Sequence, residues 1–232
     1  AVPDPRAILF DLDDTLYPYR AFVRSGFRAV ARRLAVERGL PFRSVLKVLR
    51  RALVGGARGR ELQALCDRFS LPASLVPELT EVMREHEPTL RLPAQTVRVL
   101  ADLRRSWRIG VVTNGTPRIQ RRKIAALGLS SFVDTLIYAT EHGDGRGKPA
   151  APAFEAALAR LGTTARQTVF VGDDRCADID GAGALGLSTI HLWPEGRGCD
   201  CAAAGAVHVQ QLAQVPETAD RLVRMKAEHH VV

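Results

Sequence analysis

Apolar residues change their spacing twice along this chain. A short unbroken run, RAILF at Arg6–Phe10, reads as a buried strand. From Phe22 the period turns helical: Phe22, Val23, Phe27, Val30, Ala31 and Leu34 recur at three- and four-residue steps, with arginines between them. Gly39-Leu40-Pro41 stops that helix. A second helical run, RSVLKVLRRALV, ends at Gly55-Gly56, and ELQALCDRF and LVPELTEVMREHE follow with the same period. Residues 20–87 therefore read as all-helical. Beyond Pro93 the pattern alternates between helix and strand. AQTVRVLADLRRSW is helical, RIGVVTN a strand, PRIQRRKIAALG a helix closed by Gly128, and DTLIYAT a strand. APAFEAALARLG is a helix, QTVFVGD a strand, ADIDGAGALG a short helix, LSTIHLW a strand and AVHVQ a last strand before a terminal helix at 216–228. Strands alternating with helices predict an α/β fold, a Rossmann-like parallel sheet with helices on both faces. The expected organisation is a core from residues 1–15 and 92–232, with 16–91 inserted as an all-helical cap.

Charge sharpens this division. The 232-residue chain carries a net +8. Thr15–Leu92 holds 15 Lys and Arg against 7 Asp and Glu, and the remainder holds 18 against 18, so the whole excess lies in the helical block. Such a block suits a small anionic substrate or a nucleic acid, or is simply a solvated arginine-rich surface. No apolar run approaches the ~18 residues of a membrane span, and the N-terminal residues lack the basic-then-apolar pattern of a secretory signal. Four cysteines, at 66, 176, 199 and 201, are too sparse for a disulfide framework, and a reducing, cytoplasmic setting is expected. Cys199-Asp200-Cys201 offers half a metal site without a second cluster and reads as a loop; His229 and His230 read as a tail.

The chemistry collects after the strands. In open parallel sheets ligands bind beyond the carboxyl ends of the strands. The first strand runs into Asp11-Leu12-Asp13-Asp14, and the second core strand ends in Thr113-Asn114-Gly115. The third is followed by a glycine-rich loop carrying Lys148-Pro149, and the fourth ends in Gly172-Asp173-Asp174, with Asp178 shortly after. One Asp in a turn is ordinary. Four consecutive strands delivering carboxylates, a hydroxyl and an ammonium to one edge are not. Clustered carboxylates repel unless a hard cation sits among them, and an oxygen-only set suits Mg²⁺ shared with a phosphate. Lys148, Thr113 and adjoining amides would serve the anion.

These segments, DLDDT, VVTNG, GKP and VGDDRCADIDGA in order, resemble the four motifs of the haloacid dehalogenase-like superfamily of phosphohydrolases, and the helical insertion is placed as in members with a type 1 cap. The nearest resemblance is to nucleotidase and sugar-phosphate phosphatase branches. It implies a phosphomonoesterase acting on a small phosphorylated metabolite, a nucleoside monophosphate or sugar phosphate, through an aspartyl-phosphate. It implies Asp11 as nucleophile, Asp13 as acid and base, Lys148 as charge neutraliser, and Thr113, Asn114 and Gly115 as phosphate binders. Mg²⁺ would be held by Asp11, the Asp13 backbone carbonyl and Asp173, with Asp178 supporting the metal or orienting Lys148 and Asp174 sharing that role. Asp13 separates the chain from the dehalogenases, whose departing halide needs no acid. A phosphosugar mutase and a non-catalytic binding module are the alternatives. Tyr17, Arg20 and Arg24 are candidates for contact with the leaving group, Arg20 and Arg24 sharing a helix face. Arg118, Arg121 and Arg122 are expected to add positive field. Neither a membrane nor a nucleic acid is expected as partner, and a monomer or homodimer is. Asp14 is left as a turn-shaping residue. The sequence KPAAP departs from the family pattern by one place after Lys148.

Overall fold

The computed structural model describes residues 6–55, 59–194 and 206–228. Cys199, Cys201, His229 and His230 lie outside them. The chain forms two compact units, one built from the chain up to Pro18 and from Arg91 onward, the other from Tyr19–Leu90.

The first unit is a six-stranded parallel sheet. Its strands are β1 (Ala7–Phe10), β2 (Arg108–Thr113), β3 (Thr135–Tyr138), β4 (Thr168–Gly172), β5 (Ser188–Leu192) and β6 (Val207–Val209), in spatial order β3-β2-β1-β4-β5-β6. β1 has all four residues fully buried, which explains its unbroken apolar run: a central strand of a parallel sheet is covered on both faces. Ala7 and Leu9 join Val112, Ile137, Phe154 and Phe170 in one core cluster, while Ile8 and Phe10 are buried on the opposite face. The covering helices are α5 (Ala94–Leu103), α6 (Pro117–Leu127), α7 (Ala151–Leu161), the single turn α8 (Gly181–Ala184) and α9 (Val215–Glu228). α7 lies against β2 and β3, and α9 against β4 and β5. Gly110 on β2 lets this layer close, because a Cβ there would stand 2.6 Å from the Leu9 side chain.

Register fixes where the strands end. Phe10 pairs with Val111 on one side and Val171 on the other, so Asp11 emerges level with the last residues of β2 and β4. The Asp11 amide still donates to the Val171 carbonyl at 2.9 Å. From β1 the chain builds outward through β2 and β3, then crosses back to β4. The strand order therefore reverses between β1 and β4, the place where a crevice opens beyond the strand ends.

The second unit is helical: α1 (Arg20–Arg38), α2 (Phe42–Val54), α3 (Glu61–Phe69) and α4 (Val76–Glu85). Its own core includes Phe27, Val30, Leu34, Val45, Leu49 and Leu65. Gly39, at φ 65°, ends α1 in the left-handed conformation that glycine adopts without a Cβ penalty. No described helix is long and apolar enough to cross a membrane.

The segment after β4 differs from the short helix that its sequence predicts. Arg175–Asp180 forms a wide π-helical turn before α8. The Asp174 side chain caps it, accepting from the Ala177 amide at 2.8 Å. The wider turn lets Asp178 fold back under the strand instead of continuing outward.

Candidate active site

Four strand ends bring their polar residues together. Asp11 follows β1 and Lys148 the loop after β3, and Asp178 lies in the turn after β4. Lys148 Nζ donates to Asp11 Oδ1 and to Asp178 Oδ1, each at 2.6 Å. The two side chains flanking Asp11 are almost closed to solvent, Lys148 at 4% and Asp178 at 1% exposure. Asp178 also accepts from the Asp174 amide at 3.1 Å. Gly172 is what makes room for it: a Cβ there would run into the Asp178 carboxyl group.

Two buried carboxylates beside one ammonium leave a negative excess. Burial pushes the Asp11 carboxyl up to about 7; Lys148 opposes this, and the charges of Asp178 and Asp13 add to it. Burial likewise raises Asp178 against the pull of Lys148. The two carboxylates outweigh desolvation at Lys148 and hold it above the ordinary lysine range, so it stays an ammonium. The excess calls for a proton or a cation. Asp173 completes the donor set: one oxygen each of Asp11, Asp173 and Asp178 lie within 4.8 Å of one another. Hard oxygens at this spacing fit Mg²⁺.

Asn114 fixes the Lys148 loop. Its side-chain amide donates to the Lys148 carbonyl at 2.9 Å, and its Oδ1 accepts from the Lys148 amide at 2.8 Å. Of the two Asn114 groups, only the backbone amide is left for the anion-binding part expected from the sequence. Gly115, at φ 113°, turns the chain away from β2, and its carbonyl accepts from Thr140 Oγ1 at 3.0 Å. Thr113 is buried at the end of β2, where its Oγ1 accepts from Gln120 Nε2 at 2.6 Å.

Asp13 has a separate set of partners. Lys123 Nζ reaches both its oxygens, at 3.0 and 2.8 Å, and Gln120 Nε2 reaches Oδ2 at 3.1 Å. The Tyr17 hydroxyl donates to Oδ1 at 2.5 Å. Tyr17 is 2% exposed, with its hydroxyl on the Asp13 carboxylate. Asp14 takes φ 58°, and its amide donates to the Tyr17 carbonyl, closing the turn. Arg20 and Arg24 are exposed on α1 of the helical unit. Arg121 does not stand as a free charge: it pairs with Glu141 at 2.7 and 2.8 Å over the Tyr138 ring.

Sequence reasoning passed over three side chains here. Gln120 and Lys123 lie in the run QRRK, where they were submerged among arginines; the signal was their i, i+3 spacing toward the sheet. His191, inside the otherwise apolar or hydroxylic strand STIHL, is fully buried. Its Nε2 lies 3.1 Å from the Asp173 carbonyl and its Nδ1 3.1 Å from His208 Nδ1. The carbonyl can only accept, so Nε2 carries the proton at that contact.

The family model described as haloacid dehalogenase-like hydrolase matches residues 5–186. A ribulose-1,5-bisphosphate 5-phosphatase of Halopiger xanaduensis is 34% identical over 81% of this chain and 84% of its own. A glyceraldehyde 3-phosphate phosphatase of Methanocaldococcus jannaschii is 30% identical over the same 81% and 84% shares. In fold, the chain is similar to the HAD-hydrolase YfnB of Bacillus subtilis, with a TM-score of 0.66 at 20% identity, covering 94% of this chain and 99% of that one.

Proposed function

This chain belongs to the haloacid dehalogenase-like hydrolases, and on that premise we propose that it is a phosphomonoesterase of small phosphorylated metabolites, sugar phosphates foremost. The observation that carries the reading is the buried Asp11–Lys148–Asp178 cluster at the reversal of strand order. The names of two relatives, both sugar-phosphate phosphatases, support the substrate class.

In this mechanism an Asp11 oxygen attacks phosphorus. The phosphorus–oxygen bond of the ester breaks, and its electron pair leaves with the alcohol oxygen, which takes a proton from Asp13. Water then attacks the aspartyl-phosphate and gives its proton to Asp13, while the bond to Asp11 breaks and releases phosphate. Lys148 holds the Asp11 oxygen and offsets negative charge as phosphoryl transfer proceeds, so most of the catalysis is positioning and electrostatics. Thr113, the Asn114 amide and Gly115 receive the phosphoryl oxygens. Asp11, Asp173 and Asp178, with the Asp13 backbone carbonyl, are the residues to hold Mg²⁺, which when bound supplies positive charge beside the phosphate. Residues 19–90 act as the cap and choose the leaving group, with Arg20 and Arg24 as its anion-binding candidates. The test is phosphate release from a panel of phosphomonoesters, with Mg²⁺ and with chelator, for the wild type and Asp11→Asn. Turnover of every ester at the Asp11→Asn background rejects the reading.

A further inference from the structure

We propose that Lys123 and Gln120 are positioning residues for Asp13, holding its carboxyl group where it takes a proton from the hydrolytic water and passes it to the next leaving oxygen. The inference rests on the phosphatase reading and deepens it. It starts from an unusual burial. α6 carries four cations: Arg118 and Arg121 are exposed on it and Arg122 is half-buried, while Lys123 is only 4% exposed. Burying an ammonium is costly unless it is paired. A helix that needed only solvation would turn Lys123 outward like Arg118 and Arg121. Lys123 and Gln120, three residues apart, instead share the inward face and converge on one carboxylate.

The geometry constrains Asp13 at both oxygens. Oδ1 accepts from Tyr17 and Lys123, and Oδ2 from Lys123 and Gln120. Donors on both oxygens oppose rotation of the carboxylate about its bond to Cβ. The Gln120 amide also donates to Thr113 Oγ1, which ties the aim of Asp13 to the end of β2. The site thus contains two separate ammonium systems. Lys148 serves Asp11 and Asp178, and Lys123 serves Asp13. The first sits by the attacking oxygen, the second by the group that manages the leaving one.

In kcat/KM, which covers the steps through departure of the alcohol and not the shared hydrolysis of the aspartyl-phosphate, loss of aim should matter only where the leaving group needs a proton. Esters of alcohols need it; p-nitrophenyl phosphate, whose leaving group departs as a stable anion, does not. The experiment compares kcat/KM for p-nitrophenyl phosphate and for the sugar phosphate turned over fastest in the panel. The variants are Lys123→Met, Lys123→Arg, Gln120→Met, Asp13→Asn and the Lys123→Met/Asp13→Asn double. Lys123→Met is expected to lose about 10- to 100-fold on the sugar phosphate, the range of a displaced proton-transfer group, and less than about threefold on the aryl ester. Gln120→Met should show the same asymmetry with smaller amplitude, and Lys123→Arg should recover much of the loss. In the Asp13→Asn background Lys123→Met should have no further effect, because it acts through the missing group. Equal losses on both esters, or losses that multiply in the double variant, overturn the inference and leave the phosphatase reading standing. Should Lys123→Met not fold, Gln120→Met decides by the same asymmetry. A wild type inactive on every ester overturns both.

Discussion

Replacing Lys148 by methionine isolates the electrostatics of the site. The methionine keeps most of the aliphatic length and removes the charge, and with it the ammonium that stands 5.4 Å from the centre of the Phe170 ring. Two carboxylates then face each other in a buried pocket, each having lost a 2.6 Å partner. Breaking a buried ion pair from one side costs about 3–5 kcal/mol. The cost must depend on pH. Asp11 and Asp178 are carboxyls whose folded pKa is raised, so the folded state binds more protons than the unfolded chain. Their stabilising contribution is full below the ordinary carboxylate range and is lost as pH rises through the folded value. Without Lys148, the main term lowering both values is gone, and the loss with rising pH steepens. The variant should therefore fall short of the wild type by about 3–5 kcal/mol at pH 8, and by about 1 kcal/mol at pH 5, where protons replace the ammonium. The assay is urea unfolding in chelator, followed by tryptophan fluorescence. Both tryptophans, Trp107 and Trp193, belong to the sheet-containing unit and so report on it directly. A deficit under about 1 kcal/mol at pH 8, or one equal at the two pH values, refutes the account of Lys148 as the counter-charge of two buried carboxylates.

Other perturbations test the surrounding structure. Gly172→Ala puts a methyl group into the Asp178 carboxyl and should cost about 1–3 kcal/mol in urea unfolding and at least ~100-fold in kcat, although no catalytic group is removed. Mg²⁺ at about 100 times its dissociation constant should stabilise the wild type by about 2.7 kcal/mol over the chelated protein, and Asp173→Asn should abolish most of that gain in a thermal melt. Phe154→Ala removes a fully buried ring that meets Phe170 edge-on at 5.2 Å, and chemical denaturation should show a loss of about 3–5 kcal/mol.

What could be read directly was whatever depends on local pattern. β1, β2 and β4 announce themselves because a parallel sheet covered on both faces requires near-continuous apolar runs, and the helices of residues 20–85 because a helix with one buried face must repeat near 3.6. The order of strand ends then placed Asp11, Thr113, Lys148 and Asp173 at one edge, since parallel strands all end on the same side. What local pattern left open was the partner of each side chain. From local pattern alone Lys148 could have served any carboxylate at that edge, although the family resemblance pointed it at Asp11; strand register and the room left by Gly172 bring both Asp11 and Asp178 onto it. Tyr17 was a candidate for the leaving group, and the turn closed by Asp14 sets its hydroxyl on Asp13. Lys123 looked like one more cation in a basic helix, and His191 like a polar interruption of a strand. Their roles depend on which face of α6 turns inward and on β5 lying beside β4, contacts between residues distant in the chain. The sequence by itself determined the elements, their order and the edge where the chemistry gathers, because these follow from periodicity and chain direction. Only the tertiary structure decided which ammonium neutralises which carboxylate, because that pairing depends on distances of a few ångströms across strands and helices, and no local spacing encodes them.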